Sequence, residues 1–286
     1  MEDKTPSKNV LTGGILVVLA MVIFGSYGLL VRFINADAIL LVWSLQIVGV
    51  ICFLVYLLKN RALLNLHKMF LRILLMTVFI VIADLSYFMA LRTTTVSTAV
   101  FVKFLMPVIV IALTFRKSGI SFKKLLFMVT LGIAGLLFIL WPQGIPFSAN
   151  MGILWSLITA FTLGSYLILF KKISATVPVT TILFYRYAIA SVIVLPFILF
   201  IGNVFDQIGA FWPWLIGFGL LYAVIGTLIH MQGLKMTKVQ YTAILGYVEP
   251  FAATVMSIVF LGETLTPFLI AGGILILSAS TLSLKD

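Results

Sequence analysis

Residues Leu234 to Pro250, LKMTKVQYTAILGYVEP, decide how this chain is read, because Leu91 to Pro107, LRTTTVSTAVFVKFLMP, repeats their spacing. Each stretch opens on a Leu-basic pair, Leu91-Arg92 and Leu234-Lys235. Each places a Val five residues later, Val96 and Val239, and a proline sixteen residues after the Leu, Pro107 and Pro250. The offset is 143 residues throughout, half of a 286-residue chain. Both prolines fall in apolar runs long enough to be membrane helices, where each removes one backbone hydrogen bond and strips the carbonyl four residues earlier of its partner. Those carbonyls belong to Lys103 and Gly246. At bilayer depth a bare carbonyl is tolerated only beside protein or water, so the two prolines predict helix breaks beside one internal cavity.

Working outward, the whole chain is 63% hydrophobic and 9% charged, with a mean hydropathy of +1.24. A soluble domain with those values would lack a polar surface, so this is a membrane protein. Apolar runs near twenty residues, the length that crosses ~30 Å of hydrocarbon, predict ten spans. They are 12–33, 38–58, 70–91, 95–115, 123–141, 151–170, 178–201, 212–234, 239–260 and 265–283, numbered here as spans 1 to 10.

The net charge of +11 would suit a nucleic-acid partner if it formed one patch, but the basic residues alternate by loop. With the N-terminus inside, Lys4, Lys8, Lys59, Arg61, Lys68, Arg72, Arg116, Lys117, Lys123, Lys124, Lys171, Lys172, Lys235, Lys238 and Lys285 all face one side, fifteen of nineteen, and the opposite loops hold only Arg32 and Arg92. This positive-inside bias predicts cytoplasmic termini and no nucleic acid. Lys4 and Lys8 ahead of an apolar run, with Ala36-x-Ala38 beyond it, also resemble a secretory signal. The length of that run, and its recurrence later in the chain, favour a membrane span. Cys52 is the lone cysteine, so no disulfide framework or cysteine metal site forms within one chain. No glycine-rich phosphate loop is present and no cofactor is expected.

The repeat extends beyond the opening stretches. Gly25-Ser26-Tyr27 of span 1 recurs as Gly164-Ser165-Tyr166 of span 6, Gly14-Ile15-Leu16 recurs as Gly152-Ile153-Leu154, and Gly132 and Gly135 of span 5 match Gly272 and Gly273 of span 10. The predicted fold is therefore all-α, with ten transmembrane helices in two five-helix repeats, residues 1–144 and 145–286. Five is odd, so the second repeat enters the membrane from the opposite side. Such inverted copies are related by a pseudo-twofold axis in the membrane plane and enclose a central cavity at mid-depth. Pro142 to Asn150, PQGIPFSAN, reads as an uncharged external linker between them.

Two five-helix repeats, a Gly-Ser early in each, the paired prolines and Gly262-Glu263 after span 9 make the whole chain resemble an EamA-type member of the drug/metabolite transporter superfamily. The resemblance implies a cavity lined by spans 1, 3, 4, 6, 8 and 9. Family members often repeat the Gly-Glu after the fourth helix, where this chain has Arg116-Lys117-Ser118-Gly119. No transport role is therefore carried onto Glu263.

Ionisable groups inside a span are costly and are either paired or functional. There are five: Asp84, Lys103, Arg186, His230 and Glu249. Counting ~1.5 Å per helical residue puts Asp84 and Lys103 both roughly 12 Å below the outer surface, and Arg186 and Glu249 both about 14 Å from the cytoplasm. Equal depth predicts an Asp84–Lys103 pair and an Arg186–Glu249 pair. Two readings stand: the four groups offer complementary charges to a zwitterionic or anionic metabolite, or they neutralise each other and fix helix packing. His230 answers Tyr87 across the repeat, and as a histidine it suits either a proton relay or a hydrogen-bonded cavity wall. Gln46, near the repeat mate of Arg186, needs a partner and is expected to face protein. His67 lies in a basic loop.

Tyr27, Tyr87, Tyr166 and Tyr247 suit a small-molecule pocket, each joining an apolar ring to a hydroxyl. Trp141, Trp212 and Trp214 at span ends fit an interfacial belt. The glycines of spans 5 and 10, densest at Ala271-Gly272-Gly273, allow close helix approach within the chain or in a homodimer.

Together these features predict a secondary transporter of the plasma or inner membrane. It would move a small polar metabolite, an amino acid or similar zwitterion, outward by alternating access. Its partners are the lipid bilayer and a small-molecule substrate. An uncoupled facilitator is the alternative within the fold, and an intramembrane lipid-modifying enzyme the alternative outside it. The enzyme would require a nucleophile–base pair or clustered metal ligands at one depth, and the sequence offers neither.

Overall fold

A computed structural model of the chain describes residues 8–59, 69–118, 121–140, 147–236 and 245–282. His67, Trp141, Pro142, Val239 and several of the basic loop residues lie outside the described residues. Among those described, the elements are helices: α1 (Lys8–Gly25), α2 (Tyr27–Phe33), α3 (Ala38–Lys59), α4 (Phe70–Thr93), α5 (Val96–Lys103), α6 (Met106–Ser118), α7 (Phe122–Leu140), α8 (Phe147–Ser174), α9 (Val179–Ile198), α10 (Val204–Gly219), a π-helical segment (Leu220–Gly226), α11 (Thr227–Met236), α12 (Val248–Leu261) and α13 (Pro267–Leu282). Eight segments are long and apolar enough to cross a membrane, and Val248–Leu261 and Pro267–Ala279 are shorter apolar helices. This is a ten-helix membrane protein.

Two boundaries differ from expectation. Span 8 begins at Val204 rather than 212 and continues to Gly233, because Pro213 sits inside a helix instead of opening one. Trp212 and Trp214 thus stand more than one turn inside α10, exposed to the surroundings at 56% and 59%. The expected linker is shorter too, since Phe147 to Asn150 already belong to α8.

Side chains are distributed as in lipid rather than water. Large apolar groups cover the outside, with Leu71, Phe200, Phe205 and Phe251 among the most exposed. Small polar ones fill the inside, including Thr77, Ser86, Ser97, Ser156, Thr159 and Ser257. Buried hydroxyls satisfy themselves along their own helices: Thr77 donates to the Ile73 carbonyl at 2.7 Å and Ser156 to that of Gly152 at 2.8 Å. Without a hydrophobic force between helices in lipid, close approach of small residues holds the bundle together.

The most extensive contacts join the two halves of the chain: α4 with α8, α1 with α11, α3 with α9 and α7 with α13. Exchanging each span for its repeat mate maps this pattern onto itself. Span 3 against span 6 becomes span 8 against span 1, while 2 against 7 and 5 against 10 are unchanged. Glycine sets several of these approaches. A Cβ on Gly135 would come within 2.7 Å of the Gly272 carbonyl oxygen, and one on Gly272 within 2.5 Å of the Gly135 oxygen. Gly273 faces the Phe101 ring and Gly132 faces Leu105. The small residues of spans 5 and 10 therefore pack inside the chain.

We call the face where α1 begins proximal and the face where α2 ends distal. At the distal face Arg32 donates to the Leu91 carbonyl at 3.0 Å and also to that of Thr94, while Arg92 donates to that of Ala36. The two arginines tie neighbouring turns together around a cavity of about 310 Å³ lined by Val31, Arg32, Ile34, Asn35 and Arg92.

Candidate functional site

Both prolines break their helices. In span 4 the helix is interrupted at Phe104-Leu105, between α5 and α6, and Pro107 follows within a turn. In span 9 the interruption is at Gly246-Tyr247, with Pro250 in the first turn of α12. The expectation of a bare carbonyl fails at Gly246, however, whose oxygen accepts the Glu249 N–H at 3.2 Å. The chain tightens into a three-residue turn that re-satisfies the backbone. Span 1 is also interrupted, at Ser26, whose hydroxyl bonds the Ile23 carbonyl at 2.7 Å.

The breaks deliver charged groups to a seam between the halves. Lys103, the last residue of α5, is ion-paired with Glu249 at the start of α12. Arg186 of α9 lies 3.5 Å from Asp84 of α4. These are not the partners that equal depth predicts. The expected Asp84–Lys103 and Arg186–Glu249 pairs are replaced by Lys103–Glu249 and Asp84–Arg186, and each observed pair joins the first half of the chain to the second. Residue counting fixes only depth, and by that count all four groups lie within about 4 Å of one level. Lateral neighbours choose the partner: α5 packs on α12, and α4 on α9.

Rings surround both pairs. The Lys103 ammonium sits over the Tyr87 ring, 4.4 Å from its centroid, and Tyr27 stacks on Tyr87 at 5.7 Å. Tyr27 also meets Tyr222 edge-on at 4.7 Å, and the Tyr222 hydroxyl is 2.7 Å from that of Ser26. Tyr247 contributes a ring 6.0 Å from Phe104. On the other side the Arg186 guanidinium lies 4.4 Å from the Tyr187 ring and 5.7 Å from that of Tyr166. Cations against aromatic faces gain where water is scarce. Because Asp84 and Tyr87 are three residues apart on α4, the two clusters share one helix face.

Gln46 is buried as expected and donates its amide to Asp84 at 3.2 Å. Among the described residues its Oε1 has no partner, nor does Nε of Arg186. A buried acceptor and a buried donor without partners, both beside one carboxylate, suit a polar guest. Despite the rings around them, the four charged side chains keep between 11% and 18% of their surface. His230 of α11 is a member of neither ion pair; its ring stands edge-on to Phe24 at 5.8 Å, and it lies within electrostatic reach of Glu249.

Two participants escape the sequence reading. Tyr187 is adjacent to Arg186 and was available as a signal. Tyr222 shares its span with His230, two turns earlier. Glu263, named in the sequence but given no transport role, has partners that the sequence did not announce. Its Oε1 accepts the Val96 N–H at 2.7 Å, and its Oε2 accepts the Ser97 N–H at 3.3 Å and the Ser97 hydroxyl at 3.0 Å. It caps a helix 166 residues away, which no local pattern announces.

With this geometry in place, comparison with known proteins decides the class. The EamA-like transporter family model matches residues 11–141 and again 150–285.

The chain belongs to the EamA-like transporter family.

This EamA-type protein is therefore a multi-pass membrane transporter of the drug/metabolite transporter superfamily, lying in the bilayer and binding a small-molecule substrate. It is similar to an uncharacterized transporter of Archaeoglobus fulgidus, 26% identical over 275 residues, spanning 94% of this chain and 95% of that one. It is also similar to a solved crystal structure, with a TM-score of 0.64 and 18% identity over 95% of this chain and 97% of the other. At that identity the likeness concerns the fold alone.

Proposed function

We propose that this EamA-type chain is a secondary transporter that carries a small zwitterionic metabolite, such as an amino acid, outward across the plasma or inner membrane by alternating access. The observation that carries the reading is the pair of mid-depth ion pairs, Lys103–Glu249 and Asp84–Arg186, each joining one half of the chain to the other. A zwitterion has one ammonium and one carboxylate, so it exchanges with a protein partner at either pair without leaving a charge uncompensated. Tyr27, Tyr87, Tyr166 and Tyr247 supply the walls, and the unpartnered atoms of Gln46 and Arg186 supply further contacts. Exchange of mates between repeats supports an inverted twofold relation, with breaks at Pro107 and Pro250 as the places where one half rocks on the other. The charge bias supports an external distal face and cytoplasmic termini.

Counterflow in proteoliposomes against a panel of amino acids, followed by metabolite profiling of cells with and without the protein, tests the substrate class. Uptake of neutral sugars with no effect of any zwitterion overturns it. The pairing of all four charges favours a second reading within the fold, an uncoupled facilitator. Asp84, Glu249 and His230 are the groups that would carry a coupled proton. Flux unchanged by an imposed pH gradient selects the facilitator.

A further inference from the structure

We infer that Glu263 is a one-sided latch: by holding the N-terminus of α5 it locks the distal face shut and positions Lys103 at the other end of that helix. The inference rests on the alternating-access reading and deepens it.

Several features of the contact set this apart from an ordinary surface cap. The carboxylate belongs to the turn after α12, while the three donors belong to Val96 and Ser97 of the other half. The Ser97 hydroxyl reaches the Ser257 hydroxyl of α12 at 2.9 Å as well, so Ser97 is bound to the second half through two of its residues. Glycine makes the reach feasible. Gly262 has φ +66°, a left-handed conformation that turns the chain sharply at the end of α12 and aims Glu263 back across the seam. A carboxylate at the first turn of a helix also gains from the aligned backbone dipoles. Lys103 occupies the last turn of the same eight-residue helix, so α5 is charge-matched at both ends. The two charge contacts are one rigid rod apart, roughly 12 Å.

A twofold copy of the latch would require an acid after span 4 to serve the start of span 9. The offset of 143 residues leads from Glu263 to Ile120, within Arg116-Lys117-Ser118-Gly119-Ile120-Ser121, which contains no acid. The latch therefore exists on one face of an otherwise repeated architecture. Opening the distal face requires the Glu263 carboxylate to leave three donors, and the repeat-related position on the proximal face offers no carboxylate for an equivalent contact. The resting molecule is consequently biased toward distal-closed, with its seam reached from the proximal side.

The test reads accessibility rather than flux. In a Cys52→Ser background, Thr254→Cys places a thiol on α12 between Glu249 and Ser257, proximal to the latch. A membrane-impermeant thiol reagent is then applied separately to right-side-out and inside-out vesicles. Glu263→Gln and, separately, Ser97→Ala should raise labelling from the external side by roughly ten-fold and lower it from the other. That is the shift in a two-state equilibrium that losing one charge-assisted hydrogen bond produces. Unchanged labelling in both variants overturns the latch, even where transport persists. Equal increases from both sides, or loss of the protein from the membrane in both variants, also overturn it, because a mere structural staple would loosen without choosing a side. Absent flux in the unsubstituted protein would instead sink the transport reading and leave the labelling result interpretable.

Discussion

Lys103 illustrates what a single residue does here: its ammonium touches an acid of the opposite half and lies over the ring of Tyr87. Removing either member of a buried pair strands the other, a loss of about 3–5 kcal/mol. Lys103→Gln and Glu249→Gln should each lower the amount of monodisperse protein recovered in detergent and cut flux at least ten-fold. Combining them should restore recovery but not flux, because no stranded charge remains while the ligand contacts are still gone. Recovery and flux restored together would assign the pair to packing alone. The existence and burial of these charges were legible in the sequence. Their partners were not, because helical rise gives depth and says nothing about which neighbour stands alongside. Gln46 was legible for a different reason: an amide inside an apolar run must find a partner, and Asp84 is that partner.

At the level of elements, proline and glycine punctuate the bundle. The paired prolines pointed to both helix breaks, which lie two to four residues ahead of them at Phe104-Leu105 and Gly246-Tyr247, since proline acts through local covalent geometry. The fate of the Gly246 carbonyl was not foreseeable, because the backbone answers a lost bond by tightening rather than by recruiting solvent. Pro250→Ala should permit a continuous helix through Gly246-Tyr247 and slow transport several-fold with protein levels retained. Counterflow rates normalised to reconstituted protein check this. Gly262→Ala meets no steric obstacle but imposes a left-handed conformation on a residue with a side chain, a strain of roughly 1–2 kcal/mol. Its melting temperature in detergent should fall by a few degrees.

Across the whole molecule, the halves interlock helix by helix instead of sitting side by side, so neither has a separable core. Packing at the α7–α13 crossing leaves no room for a side chain, with a backbone oxygen 2.5 Å from a Cβ on Gly272. Gly272→Leu should abolish accumulation of folded protein, read by fluorescence-detected size exclusion, whereas Gly209→Leu, in open space, should have little effect. Ten spans and their approximate limits were readable from hydropathy because lipid demands long apolar stretches. Span 8 was misread at its start because Asp206 and Gln207 interrupt the apolar run, while the helix begins ahead of them at Val204 and takes Pro213 inside.

Span 8 holds one more consequence. Its π-helical segment, Leu220–Gly226, winds more residues into the same rise than an α-helix does. The extra residue is taken up locally, so deleting one there, for instance Val224, should restore regular helix and leave His230 against the Phe24 ring and Tyr222 against Ser26. The same deletion in the regular helix of α11 would turn everything beyond it by about 100°. The wide turn is thus the stretch of span 8 that can lose a residue without re-aiming the side chains that follow.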